Sequence, residues 1–87
     1  MTVEHDEQGH RFFITLPDGD AELAYGEFAE GILDLQHTEV PRSARGSGAG
    51  DALVRAALGF ARESGQRVVA PCPYVQRWLK AHPEERP

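Results

Sequence analysis

Three glycines stand at every second position in the segment Arg45-Gly46-Ser47-Gly48-Ala49-Gly50. An alternating, strand-like run from Ile32 to Val40 precedes this segment, and an amphipathic helical run from Asp51 to Glu63 follows it. A glycine-rich turn at the start of a helix leaves backbone N–H groups unpaired at the positive end of the helix dipole. Glycine also lets a ligand oxygen approach the backbone without meeting a Cβ atom. The segment therefore predicts a site for a phosphate-bearing molecule.

Two common phosphate-binding loops do not match the segment. The nucleoside-triphosphate loop needs a lysine and then a serine or threonine after its last glycine, and here the acid Asp51 follows Gly50. The dinucleotide loop needs a third glycine where this chain has Asp51 or Leu53. It also needs an acid about twenty residues further on, where the run Val68-Val69-Ala70-Pro71 has none.

A third loop fits: Arg45-x-x-Gly48-x-Gly50 matches the R/Q-x-x-G-x-G/A signature of the GNAT acetyltransferases. Three more blocks lie in order around it, namely His37-Thr38-Glu39-Val40-Pro41, Pro71-Cys72-Pro73-Tyr74-Val75 and His82-Pro83-Glu84. Together with the loop, these blocks make the chain resemble the very short GNAT-like acetyltransferases. The resemblance extends from Phe12 to Glu84 of this chain. The resemblance implies acetyl-coenzyme A as co-substrate and an amine as acceptor. It also implies coenzyme contacts from Thr38, Val40, Arg42, Arg45, Gly46, Ser47, Gly48, Ala49 and Gly50.

Size and composition limit the remaining possibilities. The 87 residues allow one domain, here residues 1–87, and the composition, 40% hydrophobic and 26% charged, is ordinary for a soluble protein. A net charge of −5 disfavours non-specific nucleic-acid binding but does not repel an amine. No apolar run has the length of a membrane span, and the single cysteine suits a reducing cytoplasm. No cysteine–histidine spacing predicts a metal site.

The order of elements predicts an α+β fold. Residues 1–10 are polar, and we expect them to be flexible. Strands are predicted at Arg11 to Leu16, Ala21 to Phe28 and Ile32 to Val40, joined by tight turns as an antiparallel meander. The helix from Asp51 leads to a parallel strand, Arg67 to Ala70, and to a final helix from Pro73. This βββαβα order gives a mixed sheet with two helices and resembles the core of the GNAT fold without its opening helices and last strands.

His37 and Glu39 are candidate bases for deprotonating an amine. They are two residues apart on a strand, so they are expected on one face, the same face as Leu33 and Leu35. Histidine titrates near neutrality, and partial burial raises the pKa of a glutamate towards that range. The alternative is a polar strand end with solvated side chains.

Cys72 and Tyr74 are further candidates for catalysis. Cys72 follows a parallel strand directly, and Pro73 is expected to begin a helix whose positive end favours the thiolate. The thiol then receives or flanks the acetyl group, or it is merely a small buried side chain. The Tyr74 hydroxyl either protonates the departing thiolate or anchors its helix.

The leading interpretation is an acetyl-coenzyme A-dependent N-acetyltransferase of the cytoplasm. A non-catalytic coenzyme A-binding module or regulatory subunit is the alternative, because the part of the GNAT fold that shapes the acceptor pocket is missing. A second copy or a partner chain would then complete that pocket. A third interpretation is an interaction domain in which the glycine segment is only a turn.

Overall fold

A mixed five-stranded sheet carries two helices on one of its faces. The computed structural model describes residues 1–87 apart from the side chain of Phe28. The strands lie in chain order across the sheet: β1 (Glu4–Asp6), β2 (Arg11–Ile14), β3 (Ala21–Ala29), β4 (Ile32–Glu39) and β5 (Arg67–Val69). The helices are α1 (Ala49–Glu63) and α2 (Pro73–Ala81), with short 3-10 turns at Arg42–Ala44 and Pro83–Glu85. The first four strands are antiparallel and β5 is parallel to β4, which confirms the predicted fold class.

The first ten residues contain a strand that was not predicted from the sequence. Glu4–Asp6 pairs with β2, so the meander has four strands rather than three. The His5 ring stacks on Phe12 at 4.1 Å between centroids, and its Nε2 lies 2.7 Å from the Tyr25 hydroxyl. These contacts attach the polar segment to the sheet. Residues 4–6 therefore form a paired edge strand within the segment that was expected to be flexible.

A β-bulge changes the direction of the side chains in β4. Leu35 pairs with Tyr25, but the preceding residue of β3, Ala24, pairs with His37, so Gln36 is an extra residue. Gly26 lies beside it: a Cβ there would be 2.6 Å from the amide nitrogen at the end of the exposed Gln36 side chain, which can move aside. Past the bulge, the side chain that continues the buried face belongs to position 38 and not to position 37.

The apolar face of the sheet packs against both helices in one continuous core. That core includes Leu23, Leu33, Leu35, Leu53, Leu58, Val68, Val75 and Trp78. Residues that point to the other face of the sheet, which we call the outer face, are at least partly exposed: Arg11, Phe13, Glu22, Ala24, Asp34, His37 and Glu39. The described chain places no helix over this outer face.

The ends of the helices follow the local sequence. Gly65, with φ of 69°, ends α1, and Gln66 and Gly65 donate their N–H groups to the carbonyls of Ala61 and Arg62. This pair of hydrogen bonds is a Schellman motif, as Gly65 predicted. Pro73 is in the first turn of α2, where its missing N–H costs nothing. No described helix is both long and apolar enough to cross a bilayer.

Candidate active site

The glycine segment forms the turn that leads into α1. Gly46 and Gly48 have φ values of 83° and 94°, which strongly favour glycine. The helix begins at Ala49, two residues earlier than predicted, with Gly48 as its N-cap. Ala49 donates its N–H to Ser47 Oγ at 3.4 Å. Within the described part of the chain, no acceptor meets the N–H groups of Gly46, Gly48, Gly50 or Asp51.

A pocket of about 690 Å³ lies between this turn, the end of β4 and the start of α2. It is lined by His37, Thr38, Glu39, Val40, Ala44, Arg45, Gly46, Gly48, Ala49, Gly50, Asp51, Tyr74 and Arg77. Most of the predicted coenzyme contacts therefore meet in one place, whereas Arg42 and Ser47 are not among the lining residues. Ala44 and Arg77 were not predicted from the sequence. The spacing signalled Arg77, since it lies one helical turn after Tyr74.

The pocket exists because β4 and β5 pair only at one end. Their partners run from Ile32 with Arg67 to Asp34 with Val69, and the Cys72 N–H then donates to the Leu35 carbonyl at 3.3 Å. Beyond that bond, β4 continues to Glu39 while the other chain segment turns into α2. The end of β4 therefore presents a strand edge to the pocket.

Cys72 lies at the inner side of this opening. It is the N-cap of α2, its side chain is buried, and the Thr38 hydroxyl is 3.5 Å from its Sγ. Burial raises the pKa of the thiol, but the Thr38 hydroxyl and the N–H groups of Val75, Tyr74 and Thr38 lower it, and the net pKa lies below the ordinary value. The N–H groups of Val75 and Tyr74 act on the thiol without forming a side-chain cap hydrogen bond with it. Thr38, which contacts the thiol, and Tyr74, two residues after it in the chain, line the pocket, although Cys72 does not.

Tyr74 packs its hydroxyl directly onto the glycine loop. A Cβ at position 50 would lie 2.5 Å from the Tyr74 hydroxyl oxygen, so the close contact depends on Gly50. Burial raises the pKa of Tyr74, the Asp51 carboxylate raises it further, and Arg77 opposes them. The hydroxyl is therefore protonated at neutral pH and can donate a hydrogen bond or a proton.

His37 and Glu39 do not share a face with Leu33 and Leu35, and that prediction was wrong. The bulge at Gln36 turns both side chains to the outer face, where His37 Nε2 lies 3.6 Å from Glu39 Oε2. Their side chains are 63% and 72% exposed. They line the pocket from the side opposite the buried thiol. The β4 backbone thus separates them from Cys72, and an acetyl group cannot lie between the two as expected from the sequence.

Asp51 has partners that the sequence pattern did not predict. Its Oδ1 accepts from Trp78 Nε1 at 2.9 Å, and its Oδ2 accepts from Arg55 Nε at 3.0 Å. The hydrogen bond from Trp78 lowers the pKa of Asp51 against an opposing effect of burial, and Arg55 lowers it further. Among the described residues, no group of three or more His, Cys, Asp and Glu side chains could hold a metal ion.

The parallel strands β4 and β5 pair at one end and then separate, and a glycine turn and the start of a helix lie at the opening between them. This arrangement defines the class of GNAT-like folds. The chain belongs to the GCN5-related N-acetyl-transferase family, whose model matches residues 11–86. It is 40% identical to Protein NATD1 of Mus musculus over 85 residues, which is 95% of this chain and 77% of that protein. Protein NATD1 of Homo sapiens is 39% identical over the same length, with 75% of that protein covered.

A solved structure has the same fold. The NMR solution structure of a GCN5-like protein from Staphylococcus aureus aligns with a TM-score of 0.73. The alignment covers 97% of this chain and 82% of the other, at 20% sequence identity. The predicted fold and family are thereby confirmed.

Replacing Thr38 by valine tests the environment of the thiol. Valine keeps the shape of threonine but lacks the hydroxyl beside Cys72 Sγ. Because that hydroxyl is the largest of the effects that lower the pKa of Cys72, we expect this pKa to rise in Thr38→Val. The pH dependence of alkylation by iodoacetamide measures the pKa, with Cys72→Ser correcting for other labelling. An unchanged midpoint would show that the Thr38 hydroxyl does not stabilise the thiolate.

Proposed function

We propose that the chain is an acetyl-coenzyme A-dependent N-acetyltransferase that acts on an amine acceptor. The observation that carries the proposal is the set of unpaired N–H groups at Gly46, Gly48, Gly50 and Asp51. All four residues line one pocket, and that pocket also reaches the residues that flank a buried thiol. Membership of the family supports this assignment.

In the proposed complex, the turn holds the pyrophosphate of the coenzyme. The unpaired N–H groups and the dipole of α1 attract the phosphate oxygens. Arg45 and Arg77 line the same pocket and add positive charge. Thr38 and Val40 lie on the strand edge that continues beyond the parallel pair, where backbone groups would bond the pantetheine amides. The thioester would then extend towards Cys72 and Tyr74.

The proposed reaction uses the thiol as a nucleophile. The Cys72 thiolate attacks the acetyl carbonyl and forms a new carbon–sulfur bond. The bond from the acetyl carbon to the coenzyme sulfur breaks, and the departing thiolate takes a proton from the Tyr74 hydroxyl. A neutral amine then attacks the acetylated cysteine, the carbon–sulfur bond breaks to release the Cys72 thiolate, and the proton lost by the amine passes to solvent, from which Tyr74 takes up a proton again. His37 and Glu39 face the outer side, across the β4 backbone from Cys72, so this route gives them no direct contact with the reacting atoms.

One observation supports an alternative function, that of a non-catalytic coenzyme A-binding module. The outer face of the sheet beside the pocket is left uncovered by the described chain, so the described residues do not enclose an acceptor on that side. In this alternative a second copy or a partner chain completes the acceptor side. For either function, we assign the chain to a reducing cytoplasm, since its only cysteine is a free thiol.

Thermal unfolding with three compounds tests the proposed ligand. We expect acetyl-coenzyme A and coenzyme A to raise Tm, because a ligand that binds only the folded state stabilises it. ATP controls for general phosphate binding and is expected to have a much smaller effect. Equal stabilisation by all three would contradict a coenzyme site. Incubation with labelled acetyl-coenzyme A and a set of amines then separates an enzyme, which consumes the thioester, from a binding module, which does not.

A further inference from the structure

The carboxylate of Asp51 connects the start of α1 with α2. Its two oxygens have different partners, the indole N–H of Trp78 on α2 at 2.9 Å and the guanidinium of Arg55 on α1 at 3.0 Å. Arg55 also lies over the Trp78 ring, 5.1 Å from its centroid. The acid is therefore charge-compensated and fixed, although it lines the pocket for phosphate.

Two neighbouring residues of α1 contact two residues of α2 that are one turn apart. Gly50 contacts the Tyr74 hydroxyl, and Asp51 bonds Trp78, four residues further along α2. Side chains four residues apart lie on the same face of a helix, so both contacts hold the same face of α2. That face begins just after Cys72, the N-cap of the helix.

The backbone of Asp51 belongs to the phosphate turn, while its side chain belongs to the contact between the helices. Its N–H has no acceptor among the residues that the structure describes, and its carboxylate is bonded to Trp78. A ligand that orders this first turn of α1 therefore also orders the acceptor of the Trp78 hydrogen bond. Movement of α2 would displace Tyr74 and Cys72 together.

We propose that Asp51 is a positioning residue that couples the phosphate turn to α2 through Trp78 and so holds Tyr74 and Cys72 at the inner side of the pocket. The proposal rests on the proposed function, since it assigns the turn to the coenzyme. It explains why an acid is compatible with a phosphate site. Arg55 compensates the charge of Asp51, and the hydrogen bond from Trp78 fixes its orientation.

Two probes built into the chain can test this coupling. Trp78 is the only tryptophan and Cys72 the only cysteine, so tryptophan emission and iodoacetamide labelling each report on one side chain. Asp51→Ala removes the acceptor, and Asp51→Asn keeps an amide oxygen for the indole N–H. Arg62→Ala is the matched control, because it removes another contact of α1, with Glu85, at the far end of the helix.

In the free protein, we expect Asp51→Ala to shift the Trp78 emission. Labelling of Cys72 should be about tenfold faster, because a hydrogen bond to a charged group at a half-exposed site is lost. Asp51→Asn should restore most of both properties, and Arg62→Ala should leave the emission unchanged. Trp78→Phe, which removes the donor instead, should speed labelling as Asp51→Ala does. It keeps the labelling test available if Asp51→Ala does not fold.

Coenzyme A supplies the second part of the test. Saturating coenzyme A should shift the Trp78 emission in the wild type but not in Asp51→Ala, although calorimetry shows binding to both. Emission that shifts equally in both proteins, or labelling that is no faster than in Arg62→Ala, would overturn the proposal. If the wild type does not bind coenzyme A by calorimetry, the proposed function fails instead, and labelling of the free variants still decides whether Asp51 holds α2.

Discussion

Replacing Gly48 by glutamate is expected to abolish coenzyme A binding in a protein that still folds. Gly48 is the N-cap of α1, with φ of 94°, and it lines the pocket. Glutamate would place a Cβ atom and a negative charge in the path of the phosphates. Like charges brought together at an interface cost several kcal/mol, so affinity should fall by roughly a hundredfold or more. Calorimetry with coenzyme A measures the change.

Gly31→Glu is the matched control for this variant. Gly31 has φ of 80°, and a Cβ atom added there would meet no heavy atom within 4 Å, which is also true of Gly48. Gly31 is in the turn between β3 and β4 and does not line the pocket. Both variants should therefore lose about 1–3 kcal/mol of stability from backbone strain. Only Gly48→Glu should lose binding, and full affinity in a folded Gly48→Glu would exclude the turn as the phosphate site.

Local patterns were sufficient to predict most of the fold. The apolar spacing of α1, the proline at the start of α2 and the alternating strands indicated the element order. Each of these signals depends on residues a few positions apart. The strand Glu4–Asp6 was missed because its own residues are polar. It is held by His5, whose partners Phe12 and Tyr25 lie further along the chain.

The site was predicted less completely because one residue changes the direction of several others. Strand alternation placed His37 beside Leu33 and Leu35, but the bulge at Gln36 reverses the alternation and brings Thr38 to the thiol instead. Two-residue periodicity carries no signal for a bulge. Likewise, no local pattern connects Asp51 to Trp78, 27 positions away. The glycine turn was predictable because its residues are contiguous.

The reversal in β4 also changes which residues are expected to dominate catalysis. Cys72 is next to Thr38 and the start of α2, an environment that lowers the pKa of the thiol despite its burial. His37 and Glu39 are on the outer face and mostly exposed. The β4 backbone separates the histidine from the thiol, whereas an ionised thiol beside the pocket is a strong nucleophile. In the proposed reaction we therefore expect the thiol, rather than His37 or Glu39, to be the first acceptor of the acetyl group.

Replacing Cys72 by serine is accordingly expected to lower turnover of acetyl-coenzyme A by roughly a hundredfold or more, because a hydroxyl is largely un-ionised near neutral pH. Affinity for the coenzyme should change little, since Cys72 does not line the pocket. His37→Ala is the contrasting variant and should retain most of the activity. Peptide mass spectrometry after incubation with labelled acetyl-coenzyme A should locate the label on Cys72 in the wild type.

The pH dependence gives an independent check on the same assignment. The proposed reaction needs the thiolate, so we expect its rate to be full above the lowered pKa of Cys72 and to fall as the pH drops through that pKa. The fall in rate on the acid side of the pH profile should therefore occur below the pH at which an ordinary cysteine ionises. Thr38→Val should move this fall to higher pH. If Cys72→Ser is fully active and His37→Ala is not, the acetyl group passes directly to the amine, and the buried thiol serves only to pack α2 against Thr38.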